Sequence, residues 1–458
     1  MFRLGLIISA AFVLMQADFA RSQHAPKVVL GEPEPSQTSV PAGKSDADMR
    51  HFPKVQLGLA VTSHVQGQVS APARLPCESE CGWSCGPPGR LWVSAEYLMW
   101  WTNGSRMPAL LSGSPDGTPQ AQAGVLGAPG TSVLFGNSVL NHGIRSGFRV
   151  KAGAWLDDER TCGVEANFFM LGNQSRTFQA GSADGSTIVS RPYFNAATNQ
   201  PDAELVSFPG VLGGTATVSS RSSGLLGAGA LLRENLCCGT FDSCGNLDPC
   251  DRSGAMYRID ALFGYRYYGY DEQLGIIERL QPLGGQFIPG TQITVNDQFQ
   301  THNTFNGVVL GLAGEWYSNR WSFTAQPRFA FGQNFRQTTI NGSTVVTTPG
   351  FDPVVSQGGL LALPSNIGTY RSVDWVLIPE LDLGIGYRVT QRLRCTLGYS
   401  MIYWSRIARA NSQVDSVVNG NLIPSAGGTT GGPQRPAYTG NVDGLWMHGL
   451  TFGVEYRY

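Results

Sequence analysis

Leu450-Thr451-Phe452-Gly453-Val454-Glu455-Tyr456-Arg457-Tyr458 closes the chain. Leu450, Phe452, Val454, Tyr456 and Tyr458 take every second position, with Thr451, Gly453, Glu455 and Arg457 between them. Neighbouring strand residues point to opposite faces, so the stretch reads as a strand with one apolar and one polar face. As an edge of a soluble sheet it would invite aggregation. As one strand of a membrane barrel it meets lipid on one face and the lumen on the other. The expectation is an outer-membrane strand whose alternating residues, ending in Tyr458, form the signal read by barrel-insertion machinery.

The same two-residue period recurs upstream. Leu91, Val93, Ala95, Tyr97, Met99 and Trp101 share one face, opposite Ser94 and Glu96. Ile144, Phe148, Val150, Ala152 and Ala154 alternate with Arg145, Gly147, Arg149, Lys151 and Gly153. Tyr257 to Tyr267 and Trp321 to Phe331 behave alike. Alternation marks out ten regions: 91–101, 143–156, 162–178, 214–236, 256–281, 298–316, 320–341, 374–389, 392–409 and 445–458. Regions 214–236, 256–281 and 320–341 are long enough for hairpins. Splitting some of them gives an all-β, closed antiparallel transmembrane barrel of about 12 strands, within a range of roughly 10 to 14. Trp100, Trp101, Trp155, Trp316, Trp321, Trp375, Trp404 and Trp446 lie at strand ends, where interfacial girdles belong. The long Gly-rich connections 104–142, 180–213, 342–372 and 410–444 read as loops of one rim, the outer one, with tight turns on the other.

Composition agrees. Of 458 residues only 14% are charged, 58 are Gly, and 32 Lys+Arg stand against 33 Asp+Glu. A balance so close to neutral gives no reason to expect nucleic acid as a partner. Past the N-terminus, no apolar run approaches the roughly 18 residues of a spanning helix, which excludes a helical bundle but not a barrel.

Residues 1–22 read as a cleaved secretory signal: Arg3, an apolar run over 4–15, and small residues at Ala17, Ala20 and Ser22. Residues 23–90, rich in Pro, Ser and Gln, read as a flexible periplasmic segment, followed by a barrel over 91–458. Export brings an oxidising compartment. Cys77, Cys81 and Cys85, and the group Cys237, Cys238, Cys244 and Cys250, are the disulfide candidates, with connectivity open. Cys162 and Cys395 read as small apolar strand residues. The cysteine spacing lacks the CxxC or His partners of a metal site, so neither metal nor cofactor is expected.

Several stretches resemble one family, the β-barrel porins of type seven from planctomycete-type outer membranes. They are Cys85-Gly86-Pro87-Pro88-Gly89-Arg90-Leu91-Trp92-Val93-Ser94-Ala95-Glu96-Tyr97-Leu98; Phe299, Thr301, Asn303, Phe305, Gly307 and Gly311; Gly358-Gly359-Leu360-Leu361-Ala362-Leu363-Pro364-Ser365-Asn366-Ile367-Gly368; Pro379-Glu380-Leu381-Asp382-Leu383-Gly384; Gly398-Tyr399-Ser400; and the closing Gly453 to Tyr458. Arg409-Ala410-Asn411 departs from the Arg-Pro-Gly that the family more often has. The resemblance implies an outer-membrane barrel, but no catalytic or binding residues to carry over.

No HExxH, GxxxxGK[ST] or GxSxG motif is present. His302-Asn303 is the only His followed directly by Asn, and no Ser can be assigned to it from sequence, so no enzyme activity is expected. His448 falls on the apolar face of the last strand, near an interface. The chemistry left is that of a pore lining. Strand parity turns Arg145, Arg149, Lys151, Arg258, Arg266, Arg328, Arg388, Arg392, Arg394 and Arg457 inward against Glu165, Asp260, Glu380, Asp382 and Glu455, ten cations against five carboxylates. An excess of five inside a low-dielectric wall favours anions, and inward glycines such as Gly147, Gly153, Gly264, Gly384, Gly386 and Gly453 leave room. The opposing possibility is that these charges pair and plug a narrow barrel. Two functions follow: a passive channel for small solutes with weak anion preference, or a structural or adhesive envelope barrel. The second would join other envelope proteins through its N-terminal cysteines and long loops.

Overall fold

In the computed structural model the described residues are 89–140, 143–241, 255–285, 287–427 and 431–458. The signal, the segment up to residue 88, Cys77, Cys81, Cys85, Cys244 and Cys250 lie outside them.

Ten antiparallel strands close a ring. They are β1 (Leu91–Thr102), β2 (Gly143–Trp155), β3 (Cys162–Leu171), β4 (Leu226–Phe241) and β5 (Ala255–Pro282), then β6 (Gln292–Ser318), β7 (Trp321–Thr347), β8 (Gly368–Arg388), β9 (Leu393–Ile407) and β10 (Asp443–Arg457). Each pairs with the next in the chain, and β10 returns to β1 from Trp92↔Arg457 to Thr102↔Met447. The closing stretch Leu450 to Tyr458 therefore seals the barrel. Three further strands bring the sheet to thirteen: Gln174–Ser182 and Leu212–Ser222 extend it beside β5, and Val354–Gln357 pairs with β7.

Each of the ten alternating regions supplies one ring strand, and the expected hairpins are corrected. Region 256–281 lies within one unbroken strand of 28 residues, and region 320–341, from Trp321 onward, within another of 27. Region 214–236 is two strands, but they do not pair with each other: Leu212–Ser222 takes the far half of β5 and β4 the near half. A 28-residue strand is about 90 Å long at ~3.3 Å per residue. Even tilted by some 40° it far exceeds an apolar band of about 25 Å.

The outer surface shows where the band ends. Along β6, Val308, Leu310, Leu312 and Trp316 point outward and are exposed. The same face continues as Asn306, Thr304, His302, Gln300 and Gln298, all polar. The far ends of β5, β6 and β7 extend well beyond the apolar band. Of the tryptophans expected in girdles, Trp316, Trp321, Trp375 and Trp446 do face outward, whereas Trp100, Trp155 and Trp404 are buried inside. Their register places them on the inward face, and position at a strand end does not override parity.

The long connections 103–142, 172–225, 348–367 and 408–442 leave from one rim. The opposite rim carries the two-residue turn Asn319-Arg320 and the turn 389–392. The long loops fold together over the first rim. Ile188–Asn195, Gln200–Ser207, Leu111–Ser114, Ser132–Phe135 and Val417–Val418 form a second sheet there. An apolar core with Leu111, Val206, Leu361, Leu363 and Ile423 joins it to the inner faces of β5 and β6.

Candidate functional site

The lumen is filled by three layers. Nearest the turn rim is an ion-pair network. Arg149 donates to Glu96 (2.6 Å) and Asp382 (2.9 Å), and Lys151 sits 3.3 Å from Glu96. Arg233 reaches Asp260 (2.7 Å), Glu315 (2.9 Å) and Glu165 (3.3 Å). Glu380 receives Arg266 through Nε (3.0 Å) and Nη2 (2.8 Å), Arg328 through Nε (3.0 Å), and the Tyr268 hydroxyl (2.5 Å). Arg328 also pairs with Asp382. Arg394 and Arg457 both donate to Glu455 at 2.5 Å. The Arg258 guanidinium lies 4.0 Å over the Trp155 ring and bonds Asp260. Strand alternation turns these carboxylates and guanidinia inward, where a fork-shaped donor reaches partners on the adjacent strand, as Arg149 reaches Glu96, and across the narrow lumen, as Arg149 reaches Asp382 and Arg266 reaches Glu380.

Most of the residues expected inside are therefore brought together, but as partners of one another. Arg145 is inward and buried, yet it is spent on Thr102 and on the carbonyls of Gly172 and Ser223 at the loop rim. Arg388 is half-buried near the turn rim. Arg392 is a correction: it sits in the 389–392 turn, exposed, with its guanidinium 5.7 Å from the Tyr458 ring. Glu96, Arg233 and Glu315 were missed in the charge count, although parity on their strands would have found all three. With them added, Arg392 removed, and Arg145 and Arg388 set apart at the rims, the network holds eight cations against seven carboxylates, an excess of one rather than five, and Glu272, Glu278 and Asp297 are further inward carboxylates above it. The expected room beside inward glycines is also corrected. A Cβ on Gly153 would meet the Trp92 ring at 2.1 Å, and one on Gly386 would meet Ser322 Oγ at 2.4 Å. These glycines admit neighbouring side chains. A cavity of about 80 Å³ remains among Glu96, Arg149, Lys151, Arg233 and Glu315. At roughly 30 Å³ per water it accommodates a few molecules.

Above the network lies an aromatic layer. Trp100 packs on Phe169 with centroids 5.4 Å apart, Phe169 on Tyr268 at 6.1 Å, and Tyr268 on Trp404 at 5.9 Å and Phe305 at 6.0 Å. All are buried, with Leu98, Val309 and Ile378 around them.

The third layer is the cap. Asp297 on β6 accepts from the backbone N–H of Leu360 (3.1 Å), Leu361 (3.1 Å) and Ala362 (2.8 Å). The Asn366 side chain closes the same turn, accepting from Leu363 N and donating to the Leu361 carbonyl. The Gly-Gly-Leu-Leu-Ala-Leu-Pro-Ser-Asn stretch is thus a plug pinned to the inner wall. Arg191 bonds Asp297 (2.7 Å) and Glu278, and Glu204 is half-buried beside them. Burial, helped by the charge of Glu204, pushes the Glu278 carboxyl up to about 8. Arg409, in the stretch that departs from the family pattern, is fully buried and donates to Glu272 at 3.0 Å. Asn303 holds the same loop, accepting from Ala408 N (2.7 Å) and donating to the Ala408 carbonyl (2.9 Å). His302 and Asn303 therefore do not act together: parity puts them on opposite faces of β6.

On the outer wall, Phe452, Val454, Tyr456 and Tyr458 are exposed as expected, with Leu450 partly covered. His448 accepts or donates through Nδ1 to the Tyr399 hydroxyl at 2.9 Å and stacks on Trp101. Cys237 and Cys238 are disulfide-bonded. Cys162 and Cys395 are free, and Cys395 faces outward rather than into packing.

Residues 92–458 match the family model described as "Putative beta barrel porin-7 (BBP7)". The chain belongs to this family. No curated protein matches the sequence. Among solved structures, the outer membrane protease OmpT from Escherichia coli is similar at 10% identity, covering 81% of this chain and 97% of that one, with a TM-score of 0.35. A FadL homologue from Pseudomonas aeruginosa is similar at 8% identity, 81% and 90% coverage and a TM-score of 0.21. The toluene transporter TodX from Pseudomonas putida gives 11%, 81%, 89% and 0.20. These likenesses are too loose to bear on activity.

Proposed function

We propose that this member of the porin-7 family is an outer-membrane barrel that is shut at rest and serves the envelope as a rigid platform for its folded outer loops. In this reading residues 1–22 are a cleaved export signal, and the insertion machinery recognises the last strand. Cys77, Cys81 and Cys85 join the barrel to other envelope components, and the lumen has no catalytic role. The observation that carries the reading is the filled lumen: ion-pair network, aromatic layer and cap stacked along one axis. The reading is tested by purifying the barrel under non-reducing conditions. Disulfide-linked species lost on changing the three N-terminal cysteines to Ser are expected. A monomer unaffected by the change contradicts the linkage.

A passive channel with weak anion preference is the second reading. It is favoured by the polar cavity of about 80 Å³ and by the single cation in excess within the network. Conduction through it requires the cap to leave the mouth and the Trp100–Tyr268–Trp404 layer to part. A barrel in which both seals are opened, for example by Asp297→Ala together with Trp404→Ala, would then conduct and prefer chloride over potassium.

A further inference from the structure

A second polar cluster lies on the outer wall, away from the lumen. Asp271 on β5 and His302 on β6 are register partners, and the Asp271 carboxylate bonds His302 Nδ1. Thr304, two residues along on the same outward face, has its Oγ1 2.9 Å from His302 Nε2. With the proton on Nδ1 held by Asp271, Nε2 accepts from the Thr304 hydroxyl. Hydroxyl, imidazole and carboxylate then stand in the order of a nucleophile, its general base and the group that orients the base. The His302 and Asp271 side chains are 58% and 54% exposed, so a substrate can reach them.

The surroundings select the substrate. Across β5, Thr304 faces Gly269, which has no side chain to cover the hydroxyl; a Cβ there would lie 3.2 Å from Tyr267 Oη. Across β7 it faces Phe335, with Val373 beyond, and both are exposed and apolar. Val308, Phe331 and Tyr265 continue the apolar surface toward the membrane. The cluster thus sits on the rim of the apolar belt, at the depth where the ester groups of lipids lie. Arg371, which bonds Gln337 beside His302, offers a cation about two strand spacings, ~10 Å, away, suited to an anionic headgroup. Asn306 follows Thr304 on the same face. Its Oδ1 accepts from the Tyr265 hydroxyl, which turns Nδ2 to the role of donor for a carbonyl oxygen.

We propose that Thr304, His302 and Asp271 form an acyl-transfer site for the acyl esters of membrane lipid, an activity beyond the platform role and independent of it. Thr304 Oγ1 attacks the ester carbonyl carbon while its proton passes to His302 Nε2. The ester C–O bond breaks, and the alcohol portion leaves with that proton. Water then attacks the acyl-Thr304 carbonyl, giving a proton to His302. The carbonyl–Oγ1 bond breaks, Thr304 recovers the proton, and the fatty acid departs. The hydroxyl beside His302 belongs to a threonine, the residue after Asn303.

The test uses the full-length barrel in mixed micelles with a phosphatidylglycerol carrying a labelled long-chain acyl group, alongside the water-soluble ester p-nitrophenyl acetate. A heat-modifiable gel shift reports folding of every variant. The expected result is release of the labelled fatty acid by the unaltered protein, at least 100-fold slower in Thr304→Val and His302→Phe, retained in Thr304→Ser, and slower for the soluble ester. Hexadecylsulfonyl fluoride should add once, at Thr304, with loss of fluoride. No release, release that folded Thr304→Val retains, or preference for the soluble ester would overturn the assignment.

Discussion

Glu380 holds two guanidinia and a phenol in the middle of the lumen. Removing one member of a buried ionic set leaves the others uncompensated, at a cost of about 3–5 kcal/mol. Glu380→Ala is therefore expected to lower the urea midpoint of the detergent-solubilised barrel by that equivalent; an unchanged midpoint would mean that water already screens Arg266 and Arg328. A second residue-scale expectation concerns pH. In the cap one guanidinium, Arg191, faces Glu278, Asp297 and Glu204, and the Glu278 carboxyl is pushed up to about 8. A raised carboxyl binds more proton folded than unfolded between its ordinary value near 4.5 and about 8. Stability is full below that window and falls as pH rises through it. Hydrogen exchange of the 359–363 amides should accelerate from pH 6 to pH 9 beyond the intrinsic change, and Glu278→Gln should flatten the dependence. Parity made the inward carboxylates of the network legible in the sequence. It also separated His302 from Asn303, a consequence that reading the two as an adjacent pair overlooked.

At the scale of elements, each of the ten alternating regions holds one ring strand; dividing 214–236 matches two strands, whereas dividing 256–281 and 320–341 does not. Nothing inside 256–281 or 320–341 turns the chain, and the outward faces change from apolar to polar where the strands leave the membrane. A strand period carries no mark of that crossing, because the inner face keeps alternating through it. The cap was illegible for a different reason. Its core joins residues from loops more than a hundred positions apart, and a Gly-rich loop gives no period to read. The 359–363 turn depends on the distant Asp297, which supplies acceptors for three of its amides. Asp297→Ala is expected to release it: exchange at 360–362 should rise by two or more orders of magnitude while the ring strands stay protected, in keeping with about 3 kcal/mol of local stability lost. Equal protection in variant and parent would show that apolar packing alone holds the turn.

At the scale of the whole molecule, a near-neutral chain has sorted its charge by face. The outer wall is apolar around the belt, and the inner wall concentrates the arginines with their carboxylates. Ten strands make a lumen narrow enough for such side chains to meet across it. Their pairing turns what summed as a cationic lining into a cross-linked interior, and the aromatic layer and cap complete the seal. The central claim is that this barrel is closed. Planar bilayer recording tests it most directly, with the folded full-length protein in symmetric 1 M KCl. The account predicts no steady conductance from the unaltered barrel. A stable open-channel current under those conditions, from protein whose gel shift shows it folded, would contradict it.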